Sequence, residues 1–235
     1  MLSVLGLAVL VLALAACGGK KSTSGTLASL NPTATPAQAV TSAAHATVAR
    51  GGEHVVVKAT VTLEGQKLSL DGNGDFRSNP ALGQMTMTIS GSGLNATVDE
   101  VVSGNTAYLK TPLLSSQLPA GKSWISLNLL KTTTAFGVNL NSFTDATPTT
   151  TLDFLSSAKK VTKVGDNHYR ATVNAGSGAK AIPIDVWVSS DGLIEKVESS
   201  YTGTKIQTVF SNYGEKLSVK VPSASKTVDI SKLGG

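Results

Sequence analysis

The sequence predicts an α+β domain built on a curved, incompletely closed antiparallel sheet of about ten strands, with helices covering one face. Three observations predict it. Apolar and polar side chains alternate with period two through most of residues 53–222, and Gly-, Ser- or Asn-containing breaks separate the runs. Two stretches, near residues 36–50 and 129–160, abandon that period. No part of residues 37–230 has linker composition, so a single domain is expected there. A sheet this wide curls, and its concave side must be filled by something.

Residues 1–16 are almost wholly apolar, too short to cross a hydrocarbon core that needs ~20 helical residues, and end in small side chains. That is the pattern of a signal-peptide apolar region. Leu14-Ala15-Ala16-Cys17 fits a bacterial lipobox, in which Cys17 receives a diacylglyceryl thioether and becomes the mature N-terminus. No Lys or Arg precedes the apolar run, so a basic segment upstream of Met1 is expected. Two acyl chains anchor durably, since each buried methylene contributes ~0.8 kcal/mol. The chain is therefore expected at the cell membrane, lipid-anchored on its extracytoplasmic face. Cys17 is the sole cysteine, which excludes an intrachain disulfide framework.

Residues 17–36 are rich in Gly, Ser, Thr, Ala and Pro and read as a flexible tether, leaving 37–235 as the folded domain. "PAQAVTSAAHATVARGG" reads as a helix. Thr35 offers an N-cap hydroxyl, Pro36 suits the first turn, and Gly51-Gly52 stop it. In "HVVVKATVTLEG", Val55, Val57, Ala59, Val61 and Leu63 point one way, and Lys58, Thr60 and Thr62 the other. A turn centred on Gly65 leads to "QKLSLDGNGDF", where Gly72 and Gly74 suggest a turn or bulge. "GQMTMTISG", "LNATVDEVV", "NTAYLKT" and "SWISLN" continue the alternation. Phe136, Leu140 and Phe143 then fall at helical spacing, and Leu152 and Leu155 share a predicted helix capped by Thr147 or Thr149. The strands resume in "HYRATVNAG", "IPIDVWVSSDG", "LIEKVESSYTG", "KIQTVFSNYG" and "EKLSVKVP", with a hairpin turn at Ser189-Ser190-Asp191-Gly192.

Function classes narrow quickly. The net charge of +5 is spread along the chain and only 5% of residues are aromatic, so the clustered basic face with stacking rings that nucleic acid requires is missing. Lys20-Lys21 beside the anchor suit an anionic membrane surface. His45, His54 and His168 are isolated in sequence and lack metal-ligand spacing. Ser156 to Lys159 and Ser223 to Lys226 have Ser-x-x-Lys spacing without the companion motifs of acyl enzymes. Asp71-Gly72-Asn73-Gly74-Asp75 opens like a calcium loop but has Phe76 and Leu82 where glycine and glutamate are required. Trp124 and Trp187 are expected in the core. No enzyme, cofactor or metal is expected, and the domain is expected to be a monomer.

The lipobox ending in Cys17, the helix followed by "HVVVKATVTLEG", "SNPALGQMTMTI" at residues 78–89, "AYLKT" at 107–111, "SWISL" at 123–127 and "NYGEKLSVKVP" at 212–222 together carry a resemblance. In order and spacing the chain resembles the LppX/LprAFG lipoproteins of actinobacterial envelopes, lipid carriers similar in shape to LolA and LolB. The resemblance implies a half-barrel whose helices cover the concave face, enclosing an apolar cavity for the acyl chains of an envelope lipid or glycolipid. It places Met85, Met87 and Ile89 on the cavity side. The adjoining lining is then Val57 and Val61 from the first strand and Phe136, Leu140 and Phe143 from the inserted segment. Its partners would be that lipid, the membrane through the anchor, and an envelope transporter. Independently, two methionines alternating on one strand face suit variable acyl contacts, while the same pattern serves a closed protein core. The alternative is therefore a structural or adaptor lipoprotein with a packed core and protein partners.

Overall fold

The computed structural model describes residues 33–63, 65–78, 80–129, 134–135, 138–139, 152, 155, 158–174, 181–201 and 203–233. Helix α1 (Pro36–Ala49) begins as the sequence predicts. Thr35 is its N-cap, Pro36 opens the first turn, and Gln38 completes a capping box by accepting from the Thr35 backbone N–H at 2.9 Å. Gly51, at φ +96°, carries the chain out of it.

The strands are β1 (Glu53–Leu63), β2 (Gln66–Ser78), β3 (Ala81–Gly91), β4 (Leu94–Ser103), β5 (Thr106–Lys110), β6 (Trp124–Asn128), β7 (Thr134–Ala135) and β8 (Val138–Asn139). They continue as β9 (Lys159–Lys163), β10 (His168–Asn174), β11 (Ala181–Val188), β12 (Ile194–Tyr201), β13 (Thr204–Ser211) and β14 (Thr227–Asp229). Among the described residues, twelve of them form one open, curved sheet in the order β14-β6-β5-β4-β3-β2-β1-β13-β12-β11-β10-β9. Every pairing is antiparallel except that of β14 with β6. From β1 to β6 and from β9 to β13, consecutive strands are neighbours, and tight turns join some of them. Ser92 and Gly93 both take positive φ between β3 and β4, which matches the twist of a two-residue hairpin. Gly192, at φ +75°, closes the β11–β12 turn with its N–H on the Ser189 carbonyl.

The buried face of the sheet is continuous from β10 to β5. Val55, Val57, Val61, Leu68, Leu70, Phe76, Met85, Met87, Ile89 and Val98 form its middle. Tyr169, Ala171, Ile184, Val186 and Phe210 extend it toward β9. Helix α1 packs on β9, β11 and β12, adding Ala39, Val40, Ala43 and Ala44, and the helical residues Leu152 and Leu155 are buried in the same cluster. Thr47 ties α1 down. Fully buried, it donates its hydroxyl to the Ala43 carbonyl at 2.8 Å and accepts the Ile194 N–H at 2.8 Å. Thr47→Val keeps the shape but orphans the Ile194 N–H, and is expected to cost ~1–3 kcal/mol of stability in urea titration.

Four expectations need correction. The sheet holds twelve strands rather than about ten, because the short edge strands β9 and β14 carry too few alternating residues to stand out. "EKLSVKVP" alternates but forms no strand. It links β13 to the edge strand β14 and takes no part in the sheet ladder. Near its start, the Gly214 N–H bonds the Gly52 carbonyl and Leu217 lies over Gly52, where a β-carbon would meet Leu217 Cδ1 at 2.7 Å. In the segment where helical spacing was expected, the described residues 134–135 and 138–139 are the strands β7 and β8, while Phe136 and Leu140 lie outside the described residues. Thr134 pairs with Asn139 and Ala135 with Val138, as suits the β-branched run "TTT" that precedes them. Gly72 and Gly74 make neither turn nor bulge. They sit inside an unbroken β2, in register with β1 and β3.

Candidate functional site

The register across β1 to β5 arranges the inner face in rows. One row reads Phe210, Val55, Gly74, Met85, Glu100, Leu109. The next reads Thr208, Val57, Gly72, Met87, Val98, and a third Ile206, Ala59, Leu70, Ile89, Ala96. The predicted lining residues Val57, Val61, Met85, Met87 and Ile89 therefore share one face, with exposures of 3, 5, 2, 1 and 0%. Phe136, Leu140, Phe143 and Cys17 lie outside the described residues.

Glycine shapes this face. A β-carbon on Gly72 would stand 2.8 Å from Met87 Cγ and 3.3 Å from Met85 Sδ, so both methionine side chains lie across β2. On Gly74 it would reach the backbone of Gln84 and Met85, 2.7 Å from Met85 Cα. Phe76 in turn lies over Gly83, where a β-carbon would meet its Cε1 at 2.7 Å. Alternating glycine on one strand against alternating methionine on the next was the sequence signal for this packing. It was legible only once the two strands were known to be neighbours.

Two carboxyl groups share the apolar face. Glu53 stands at the start of β1 across from Phe76, and Glu100 on β4 lies between Met85 and Leu109. They are 2% and 1% exposed, and neither carboxyl oxygen of either residue has a hydrogen-bond partner. Burial pushes Glu53 up to about 8 and raises Glu100 well above the usual carboxylate range. Ionising either in an apolar surrounding costs more than holding the proton, so Glu53 is a neutral acid at pH 7 and burial favours the neutral form of Glu100 in the same way. Tyr213 is raised as well, by burial first and then by the charge of Glu53 and Glu195, and its hydroxyl donates toward the Ile194 and Phe210 carbonyls. Neither acid stands out in the sequence alone, although the parity of Ala96, Val98, Glu100 and Val102, and that of Glu53, Val55 and Val57, is the signal that points them inward.

The opposite face carries the polar residues. His54 Nδ1 meets Asp75 Oδ1 at 2.7 Å, and Asp99 holds both Thr86 and Lys110. His168 Nε2 lies 2.7 Å from Asp185 Oδ1, with the Arg170 guanidinium on the same carboxylate. Trp187 is not a core residue. Half-buried, it stacks on His168 at 4.2 Å and carries Lys196 Nζ 3.5 Å above its ring. His168 opens β10, which is flanked by β9 and β11. Trp124 is half-buried too, with Lys110 Nζ 5.9 Å from its ring centre. Such exposed pairs are each worth ~0–1 kcal/mol and read as sheet-surface stabilisation. Among the described residues no group of three or more His, Cys, Asp and Glu stands close enough to hold a metal ion, and no helix is long and apolar enough to cross a membrane.

An open twelve-stranded antiparallel sheet with one continuous apolar face is a specific shape. Compared with solved structures, it matches LprF from Mycobacterium bovis with a TM-score of 0.51 over 84% of this chain and all of that one, at 15% identity. It matches the Mycobacterium tuberculosis lipoprotein LppX with a TM-score of 0.50 over 79% of this chain and 98% of that one, at 20% identity. The chain has the fold of LprF and LppX. No protein-family model matches the sequence, and neither does any curated protein. At these identities the LprF/LppX likeness is one of backbone architecture, and the chemistry of the inner face rests on this chain's own residues.

Proposed function

We propose that this chain is an envelope lipoprotein that holds the acyl chains of a lipid or glycolipid against the inner face of its sheet, for transport or presentation within the envelope. Residues 1–16 serve as the signal peptide and Cys17 as the diacylglyceryl anchor, on the extracytoplasmic face of the cell membrane. Residues 17–36 are the tether and 37–235 the lipid-binding domain, with α1 and the helix carrying Leu152 and Leu155 as the cover of the concave face. The observation that carries this reading is the apolar track in which the Met85 and Met87 side chains lie across Gly72, on a fold shared with a mycobacterial lipoprotein. Unbranched thioether chains adapt to variable hydrocarbon. Burying that hydrocarbon contributes roughly 25 cal/mol per Å². No polar catalytic group is needed for this work.

The test is to extract the full-length protein, purified from its native membrane, and to identify bound lipid by mass spectrometry. Acyl lipid at a fixed ratio to protein is the expected result. Its repeated absence, with no uptake of a fluorescent acyl probe, overturns the reading. One observation favours a second reading, a structural or adaptor lipoprotein with a packed core: the track residues are at most 5% exposed. Met85→Trp separates the two. A carrier loses probe uptake and stays folded, whereas a packed core loses ~1–3 kcal/mol of stability to overpacking.

A further inference from the structure

Glu100 is the residue that a merely packed face does not explain. It sits mid-row, across from Met85 on one side and Leu109 on the other, at 1% exposure and with both carboxyl oxygens unpartnered. An apolar residue of similar size would fill the place without leaving buried oxygens unsatisfied. It is the one polar side chain in a row that is otherwise apolar, running through Met85 and Gly74 to Val55 and Phe210 on one side and onto Leu109 on the other. The other buried polar or charged residues among those described are Thr47, Glu53, Thr111 and Thr208, so that face offers no Lys or Arg to neutralise a phosphate or carboxylate.

Resting on the acyl-lipid reading above, we propose that the Glu100 carboxyl is the head-group anchor of the ligand site, donating a hydrogen bond to an uncharged oxygen of the lipid, an ester carbonyl or a hydroxyl. The acyl chain then runs from Glu100 over Met85 and along the row toward Val55. A phosphate or free carboxylate head is refused, since it would enter an apolar face with no cation and an acid for a neighbour. A neutral head such as that of a monoacylglycerol satisfies the buried acid, and the acid satisfies it. The raised proton affinity that burial imposes on Glu100 keeps the donor in place at neutral pH.

The experiment uses delipidated full-length protein and equilibrium uptake of radiolabelled 1-palmitoylglycerol, hexadecane and hexadecylamine. Glu100→Leu is expected to weaken 1-palmitoylglycerol binding at least about tenfold while leaving hexadecane uptake unchanged and the melting temperature equal or higher. Glu100→Gln, which keeps an N–H donor and nearly the same shape, is expected to retain binding within about threefold. Unchanged 1-palmitoylglycerol binding in Glu100→Leu, with wild-type uptake of both probes, overturns the assignment of Glu100 and leaves the carrier reading standing. Wild-type protein that takes up none of the three probes overturns both. Preference for hexadecylamine over 1-palmitoylglycerol overturns the neutral head group and marks Glu100 as an ionised partner for an ammonium.

Discussion

Gly74→Val is expected to destabilise the domain by about 3 kcal/mol or more, at the upper end of what overpacking costs and a large share of the ~5–15 kcal/mol that holds a domain together. The reason is the nature of the obstacle. A β-carbon at residue 74 meets the backbone of Gln84 and Met85, 2.7 Å from Met85 Cα and 2.9 Å from the Gln84 carbonyl carbon, and strand backbone cannot move aside without breaking the β2–β3 ladder. Gly72 is the control. There the nearest atom is Met87 Cγ at 2.8 Å, part of a flexible side chain. Gly72→Ala should therefore cost less than Gly74→Ala, and Met87→Ala should relieve it, while no side-chain truncation rescues position 74. Urea unfolding of these variants, with Gly72→Ala and Met87→Ala also combined, measures the difference; equal losses at 72 and 74 would show that the close approach at residue 74 is not what limits the packing.

Thermal stability is expected to fall as pH rises from about 5 to 8, opposite to the usual behaviour of a carboxylate in an ion pair. Glu53 holds its proton up to about 8 in the folded chain because burial disfavours its charge, and releases it near the ordinary value of 4.5 once unfolded. Between those values the folded state binds one more proton than the unfolded state, so stability declines by about 1.4 kcal/mol per pH unit and levels off once the folded group also ionises. The stability is fully present below the unfolded value and lost as pH passes through the folded one. Glu100 adds to the slope in the same direction. Glu53→Gln is expected to flatten the profile, and Glu53→Gln with Glu100→Gln to flatten it further. A double variant whose melting temperature follows pH as steeply as wild type would refute this account.

Much of the architecture was legible in the chain. Thr35-Pro36 and Gly51 bounded α1 because capping and chain reversal are local chemistry, decided within a few residues. The alternation in β1, β3, β4, β5 and β6 assigned inward and outward residues because side chains on a strand change sides at every step. Met85, Met87, Ile89, Val57 and Val61 came out on one face for that reason. The reading failed where a neighbour was needed. "EKLSVKVP" alternates as well as β13 does, yet it joins no ladder of the sheet. Gly72-Asn73-Gly74 resembled a turn until the Met85 and Met87 side chains filled the space over Gly72 and the β3 backbone closed on Gly74. Trp187, expected in the core for its size, faces outward because its parity on β11 is opposite to that of Ile184, Val186 and Val188.

The order of residues along the chain thus determined by itself the helix boundaries, the strand faces and the polar or apolar character of each face, since these follow from backbone geometry and from interactions spanning a few positions. The tertiary structure alone decided which strand lies next to which, and through that the sliding of methionine over glycine and the stranding of two acids in an apolar surround. Those outcomes depend on contacts between segments far apart in the chain, and a residue carries no mark of the distant partner it will meet.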